Sequence, residues 1–318
     1  MRIPKFFENE NLISLLLYPL SIIYGFGRFI HVLFSIQYKS NTKIYCIGNL
    51  VVGGAGKTPL AIEIGKILKG KKVKFAYLSK GYKGTIKEFT KVKNQTSLEV
   101  GDEPLLLKEI ADTYICRSRK EAIKNLELLK YDLILMDDGF QNPSIYKDKN
   151  IIVIDGNYGI GNGELLPSGP LRETIKSAFK RATFFVIIGQ DRKNLTDCLV
   201  NNNFDVCSAF IETKTTPKEN EKYIAFCGIG RPEKFFDTLT NNGFYLHKKY
   251  VFDDHYNYID SDILNIILEA ERENTRIITT KKDWVRINKD DRTRIDYLDI
   301  DLKFHNESEF IRLLELGK

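Results

Sequence analysis

The chain has little of what a disulfide-stapled or metal-scaffolded protein needs. Its five cysteines (Cys46, Cys116, Cys198, Cys207 and Cys227) are odd in number and include no Cys-x-x-Cys. Three of them lie in apolar, strand-like runs, so buried, reduced thiols in a reducing compartment are expected. Four histidines and those scattered thiols argue against a zinc site. No dense Lys/Arg block with interleaved aromatics occurs, so nucleic acid is not an expected partner. No internal repeat or low-complexity tract occurs, which removes solenoids and disordered tails. Charge of one sign is also scarce. The 48 basic and 42 acidic residues leave +6, enough for a modest attraction to anionic lipid or phosphorylated substrates.

What is present is ordinary for a soluble protein in composition, 43% hydrophobic and 28% charged, and 318 residues suffice for two domains. One segment departs from that. From Asn11 to Gly27 no charged residue occurs, and apolar character resumes after Arg28 with Phe29, Ile30, Val32, Leu33, Phe34 and Ile36. This run is at the short edge of a bilayer span, for which about 20 residues are needed. Pro19, Gly25 and Gly27 argue against a straight spanning helix, while Arg28, His31, Lys39 and Lys43 make its later part cationic. A secretory signal, which would need a small-residue cleavage site, is discounted. A helix lying on the membrane fits best, with a buried core helix and a single span as alternatives.

Gly48-Asn49-Leu50-Val51-Val52-Gly53-Gly54-Ala55-Gly56-Lys57-Thr58-Pro59 follows the apolar run Ile44–Ile47 and precedes a helical pattern. Strand, glycine loop and helix in that order form a phosphate cradle. Loop N–H groups and the positive helix end hold the anion, Lys57 reaches the outer phosphates, and Thr58 offers a hydroxyl to Mg²⁺. Val51, Val52, Gly53, Gly54, Ala55, Gly56, Lys57 and Thr58 are therefore the expected nucleotide-binding residues. The strict pattern wants glycine where Val51 stands, and Gly53 and Gly54 are expected to supply the turn instead.

Short β-type runs alternate with helical stretches along the rest of the chain. Strands are expected over Lys43–Ile47, Val73–Leu78, Thr113–Cys116, Leu133–Met136, Ile151–Ile154 and Phe184–Ile188. Helices are expected over Pro59–Leu68, Glu103–Ile110 and Arg119–Leu129. This alternation predicts an α/β fold, a P-loop-type parallel sheet with helices on both faces. A second series starts near Lys222 and predicts a smaller α/β domain, with a strand around Leu298–Phe304 and a terminal helix over Glu307–Leu316. The expected division is an N-terminal membrane-associated segment over 1–40, a P-loop domain over 41–211, a linker over 212–222 and a second domain over 223–318. The terminal helix is free to return to the first domain.

Leu133-Ile134-Leu135-Met136-Asp137-Asp138-Gly139 is an apolar strand ending in two carboxylates, the usual Mg²⁺-holding partner of a P-loop strand. In Gly101-Asp102-Glu103-Pro104 the local pattern allows Asp102 to be either a helix cap or a catalytic carboxylate. Asp253-Asp254-His255-Tyr256 follows a strand of the second series, and a lone histidine there is ordinarily structural. Thr280-Lys281-Lys282-Asp283 and Asn288-Lys289-Asp290-Asp291 both fit the Asn/Thr-Lys-x-Asp pattern by which GTPases read guanine, a minority reading in a lysine-rich chain.

Taken in order, these motifs resemble the tetraacyldisaccharide 4′-kinase family, the lipid A kinases of Gram-negative bacteria. The pieces are Gly48-Asn49 through Lys57-Thr58-Pro59, Ser79-Lys80-Gly81-Tyr82, Gly101-Asp102-Glu103-Pro104 and Asp137-Asp138-Gly139-Phe140-Gln141. Leu166-Pro167-Ser168-Gly169-Pro170-Leu171-Arg172-Glu173, the most distinctive, follows, then Asp254-His255-Tyr256 and Thr279-Thr280-Lys281-Lys282-Asp283. The family's loop also lacks the early glycine. The resemblance implies transfer of the ATP γ-phosphoryl group to the 4′-hydroxyl of a lipid-linked disaccharide 1-phosphate. It implies Asp102 as catalytic base working with His255, and Lys57 on the β/γ-phosphates. Thr58, Asp137, Asp138 and Glu103 would organise Mg²⁺, and Arg119 and Arg172 would grip substrate or γ-phosphate. Lys80 stands where the family commonly has Arg, and Asn142 replaces a frequent His.

The expected protein is thus an Mg·ATP-dependent lipid kinase at the cytoplasmic face of the bacterial inner membrane. Its partners are the lipid disaccharide and the membrane surface, with no nucleic acid and no obligate protein partner. The alternatives are a membrane-associated regulatory GTPase and, more weakly, a non-catalytic nucleotide-binding scaffold.

Overall fold

The structure, a computed structural model, describes residues 4–315, so Leu316 of the expected terminal helix lies outside the described residues. The first part of the chain runs α1 (Leu12–Leu33), β1 (Lys43–Asn49), α2 (Lys57–Gly70), β2 (Phe75–Ser79), β3 (Thr90–Lys91), α3 (Ser97–Val100), α4 (Asp102–Leu107), β4 (Thr113–Ile115), α5 (Arg119–Leu128), β5 (Leu133–Asp137), β6 (Lys149–Asp155), α6 (Ile175–Phe179), β7 (Phe184–Ile188), α7 (Leu195–Asn201) and β8 (Asp205–Thr213). Then follow β9 (Lys222–Cys227), α8 (Pro232–Asn241), β10 (Tyr245–Val251), α9 (Asp260–Arg272), β11 (Arg276–Thr280), α10 (Lys281–Trp284), β12 (Asp296–Leu298), β13 (Ile300–Phe304) and α11 (Glu307–Leu314).

Nine strands form one sheet in the order β13-β8-β7-β6-β1-β5-β2-β4-β3. Its interior pairs are parallel, and β13 and β3 close the two edges antiparallel. The central strands read as unbroken apolar runs because both faces are covered. Ile47, Leu135, Val153 and Val186 pack under α2 on one face, and Cys46, Met136, Ile152 and Phe185 fill the other. The second sheet, β10-β9-β11-β12, is wholly parallel and packs between α8 and α9.

The single strand expected over Leu298–Phe304 is two strands in different sheets. β12 pairs with β11 in the small sheet, and β13 pairs with β8 in the large one. The change of partner falls at Asp299, whose N–H donates to Thr215 Oγ at 2.8 Å and whose carbonyl accepts from Lys214 N at 2.9 Å. The two chain crossings between the sheets are therefore hydrogen-bonded to each other. α11 then docks on the large sheet's core through Phe310 and Leu314, and Tyr45 donates to the Leu314 carbonyl at 2.8 Å. β8 had no counterpart in the expected strands, because its burial alternates and its sequence, Asp205–Thr213, is half polar.

Pro19, Gly25 and Gly27 lie inside a first helix that is continuous for 22 residues, about 33 Å at 1.5 Å per residue. Its small and polar residues are explained by what it touches. Ser21 Oγ donates to the Leu165 carbonyl and accepts from Ser168 N, Ser168 Oγ donates to the Ser14 carbonyl, and Tyr24 donates to the Arg172 carbonyl. A Cβ on Gly25 would lie 2.9 Å from Leu165 Cδ1. One stripe of α1 thus seats on the Leu166–Glu173 motif, while Leu12, Leu16, Ile23, Phe26, Phe29 and Leu33 remain exposed. By length and composition α1 could cross a membrane.

Candidate active site

The phosphate loop begins where β1 ends at the centre of the large sheet. Val51 is an extended residue, bridged antiparallel to Leu171, and Val52 N donates to the Pro170 carbonyl at 2.9 Å. The absent glycine is explained: this half of the loop is zipped to the Leu166–Glu173 motif, where a side chain is tolerated. The turn comes later, at Gly53 (φ 103°) and Gly56 (φ 94°). A Cβ on Gly56 would also meet Ile188 Cδ1 at 2.6 Å. Gly56 caps α2 without a side-chain acceptor, so the first N–H groups of a 14-residue helix face the loop ready for an anion. Asn49 Nδ2 braces the loop from below, donating to the Val51 carbonyl at 2.7 Å and the Gly53 carbonyl at 3.3 Å.

Lys57 and Thr58 open α2. Lys57 Nζ lies 3.3 Å from Asn49 Oδ1 and 3.6 Å from Asp138 Oδ1, and Arg172 Nη1 reaches the same Asp138 oxygen at 3.0 Å. Burial works against the charged form of Asp138, but Lys57 and then Arg172 outweigh it, holding its pKa at about 2. Asp137 is the opposite case. Burial, then the field of Glu103 and of Asp138, pushes its pKa up to about 7, and its buried Oδ1 has no hydrogen-bond partner among the described residues. Arg119 lies beneath this turn rather than in the open crevice. It is 5% exposed, and its Nη2 donates to the Asp137 carbonyl at 3.1 Å.

Asp102 is not a helix cap. Gly101 (φ 86°) is the N-cap of α4, and no side-chain capping bond exists there. The carboxylate of Asp102, 3% exposed, instead meets residues of the unit built on the small sheet β10-β9-β11-β12, the part expected as a second domain. Its Oδ1 is 3.2 Å from His255 Nδ1, its Oδ2 is bonded by Arg286 Nη2, and Lys282 Nζ stands 3.7 Å away and also 2.9 Å from Glu103 Oε1. Burial would raise the Asp102 pKa, but Lys282, the His255 hydrogen bond and Arg286 hold it far below the usual carboxylate range. His255 itself sits at φ 55°, its N–H donating to the Gly228 carbonyl at 3.0 Å, with its ring edge-on to Tyr82 at 5.1 Å.

The tetrapeptide resembling a guanine reader has another use. Asp283 is fully buried, accepting from Gly228 N, Tyr258 Oη and Arg286 Nη1 on Oδ1 and from Thr280 Oγ on Oδ2. It orients Arg286 and leaves no free oxygen for a base, while Lys282 is turned toward Asp102 and Glu103. In the second tetrapeptide, Asn288 is bonded to Asp260. Arg286 went unnoticed in the sequence, and Lys282 was assigned no role. Their i, i+4 spacing beside a conspicuous Asp283 was the available signal. Gln141 and Glu173 were quoted only as motif letters. Gln141 Nε2 donates to the Asn49 carbonyl at 2.7 Å, and buried Glu173 pairs with Arg28 of α1 and with Arg181.

A glycine loop at the centre of a parallel sheet, an acidic end on the neighbouring strand and cations delivered by a second domain define a P-loop phosphotransferase. The comparisons with known proteins narrow this. The family model described as tetraacyldisaccharide-1-P 4′-kinase (LpxK) matches residues 13–316. The tetraacyldisaccharide 4′-kinase of Paramagnetospirillum magneticum is 38% identical over 306 residues, 95% of this chain and 94% of that protein. That of Rickettsia akari is 35% identical over 304 residues, 95% and 93% of the two chains. Among solved structures, "apo" form LpxK from Aquifex aeolicus in complex with ATP matches with a TM-score of 0.78 and 25% identity, over 95% of this chain and 98% of that one. The chain belongs to the tetraacyldisaccharide 4′-kinase family.

Proposed function

We propose that this protein transfers the γ-phosphoryl group of ATP to the 4′-hydroxyl of a tetraacyldisaccharide 1-phosphate, giving the bis-phosphorylated lipid A precursor. The observation that carries the reading is the meeting of Asp102 and His255, 153 residues apart, at 3.2 Å beside the phosphate loop. Loop N–H groups and Lys57 receive the triphosphate. Lys57 and Arg172, parked on Asp138, exchange that carboxylate for phosphate oxygens as charge develops. The sugar oxygen forms a bond to the γ-phosphorus as the bond to the β,γ-bridging oxygen breaks, and ADP departs.

The hydroxyl proton goes to the Asp102–His255 pair. Both Asp102 oxygens are already engaged, by His255 and by Arg286, and its basicity is low. With Nδ1–H directed at Asp102, the His255 Nε2 atom is the open acceptor, and Asp102 orients and stabilises the ring as its charge forms. Lys282 and Arg286 keep Asp102 ionised.

Asp137, Asp138, Glu103 and the Thr58 hydroxyl are hard oxygen donors that suit Mg²⁺, and the partnerless Asp137 Oδ1 is the best-placed of them. Among the described residues no three His, Cys, Asp or Glu side chains gather to cage a metal unaided. Mg²⁺ needs no such cage, since it keeps waters and shares phosphate oxygens. When bound it would supply positive charge to the phosphates.

The acceptor carries acyl chains and stays in a bilayer. The exposed apolar face of α1, seated on the loop that contacts the phosphate site, supports work at the cytoplasmic surface of the inner membrane, where ATP is available. Incubation with labelled ATP, Mg²⁺ and the disaccharide 1-phosphate in detergent micelles tests the reading. A bis-phosphorylated lipid is expected. GTP bound tighter than ATP with no lipid product would reject it in favour of a GTPase.

A further inference from the structure

The second domain touches the first on two banks of one crevice. On one bank it meets the loop after β2 and the start of α4, where Asp102, Glu103 and Lys83 contact His255, Lys282 and Arg286. Apolar packing adds to this bank, with Val285 and Trp284 set among Val92, Val100, Leu105 and Ile115. The other bank is the end of β6. There Asp155 Oδ2 lies 2.9 Å from Lys234 Nζ and 3.3 Å from Arg231 Nη1, and the Arg231 guanidinium stacks 3.8 Å over the Tyr158 ring. In the sheet order, β1 and β5 stand between β6 and β2. The second domain therefore bridges the ends of the strands that carry the phosphate loop and Asp137–Asp138.

The two banks share one short loop. Gly228 accepts from His255 N and from Arg286 Nη1 through its carbonyl, and its own N–H donates to Asp283. Three residues on, Arg231 grips Asp155, and Lys234 in the first turn of α8 does the same. Asp155 is 3% exposed, while Lys234 is 44% exposed along its side chain. Like the α4 bank, this one is held by an ion cluster, here set on a tyrosine face. The Asp155 carboxylate is fixed locally before it meets that cluster. Its Oδ1 accepts from Asn157 N and Tyr158 N in a local turn, which aims Oδ2 across the gap.

We propose that Asp155 is a positioning residue: by pinning Arg231 and Lys234 it sets the angle of the second domain, so that the 228–231 loop presents His255 and Arg286 to Asp102. The proposal rests on the kinase reading above. It assigns a kinetic role to a residue that touches neither phosphate loop nor base pair. Misplacement of a reacting group by about 1 Å costs on the order of 100-fold in rate, so a strut that fixes the domain angle acts on turnover rather than on ATP capture.

The test is Asp155→Asn, which keeps the local turn through its remaining oxygen and removes only the charge. In the micelle assay kcat is expected to fall about tenfold with the ATP KM within about twofold, and Asp155→Glu should recover part of the loss. Arg231→Gln combined with Lys234→Gln should reproduce the fall, and adding Asp155→Asn to that pair should cost nothing more. Spin labels at exposed Leu128 and Leu264, in a Cys198→Ser background, should report a broadened interdomain distance in Asp155→Asn. An unchanged kcat would overturn the proposal. So would additive losses, or a fall matched by a lower Tm with the label distances intact. If the unmodified protein makes no lipid product, the kinase reading fails, and the label distances alone decide whether the strut exists.

Discussion

The start of α4 and the end of β5 each hide an aspartate in the same crevice, and the two are treated in opposite ways. Asp102 is surrounded by His255, Arg286 and Lys282, all from the second domain, and is held ionised despite its burial. Asp137 is buried beside Glu103 and Asp138, has one oxygen without a partner among the described residues, and has its pKa pushed up to about 7 by burial and then by Glu103. Burial penalises both charges, and what differs is the sign of the neighbours. On the proposed reading, the carboxylate already surrounded by Lys282 and Arg286 is the fixed element of the base pair, and the one starved of cations is where a metal ion would be held.

The comparison breaks most visibly in turnover. Asp102→Asn should lower kcat about 10³-fold while ATP affinity stays within a few-fold, read by steady-state kinetics and by calorimetric titration of ATP. A near-normal rate would remove Asp102 from the base pair. Lys57→Ala should cost about 10²-fold in kcat/KM through lost phosphate stabilisation, and unchanged kinetics would undo the phosphate-loop assignment.

Stability should separate the two aspartates by sign. In metal-free protein Asp102→Asn leaves buried Arg286 with Asp283 as its one remaining carboxylate partner and should destabilise by about 1–3 kcal/mol, measured by denaturant unfolding. Asp137→Asn removes an unfavourable buried charge and should stabilise by about 1–3 kcal/mol at pH 7, while weakening Mg²⁺ binding about tenfold or more.

The pH dependence sharpens the same point. The depressed pKa values of Asp102 and Asp138 give stability that is present above their unfolded value of about 4 and is lost as pH falls below it. The raised pKa of Asp137 does the reverse. Its penalty is absent below about pH 4 and develops as pH climbs toward 7. The stability gained by Asp137→Asn should therefore vanish near pH 4, and a gain independent of pH would show that its charge is not the cause. The smallest expected effect is at the α4 corner itself. Gly101→Ala forces a Cβ at φ 86° to within 2.6 Å of the Tyr82 carbonyl and should cost about 1–2 kcal/mol, read as a lower Tm.

Much of the phosphate site was legible because its chemistry is contiguous. Gly53 to Thr58 and Asp137-Asp138 are local patterns, each at the end of an apolar strand, and hydrophobic periodicity suffices to place them. Asp102 was not decidable from its surroundings, since Gly-Asp-Glu-Pro reads equally as a cap, and the structure excludes that role by making Gly101 the N-cap and turning the Asp102 carboxylate across the crevice. Arg286 was invisible for the same reason, being one basic residue among many until Asp283 and Asp102 are seen on either side of it. Arg119, expected from the family resemblance to grip substrate or γ-phosphate, lies under the Asp137–Asp138 turn, a placement that only the assembled fold reveals. The split of Leu298–Phe304 between two sheets was hidden because both halves read as strand, and strand pairing is a long-range choice that local propensity does not encode.

By itself, the amino-acid sequence determined that this protein carries a phosphate loop, an acidic strand end and an apolar first helix, and it resembled one family along most of its length. Tertiary structure alone decided which groups meet: that Asp102 faces two cations and a histidine, that Asp137 faces no cation closely enough to satisfy it, and that Asp155 ties the second domain to the far bank. The reason is physical. Backbone geometry and hydrophobic burial are specified residue by residue, whereas the ionisation of a buried group depends on neighbours distant in the chain, 153 and 184 positions away for the His255 and Arg286 partners of Asp102, which meet it only when the two sheets are assembled.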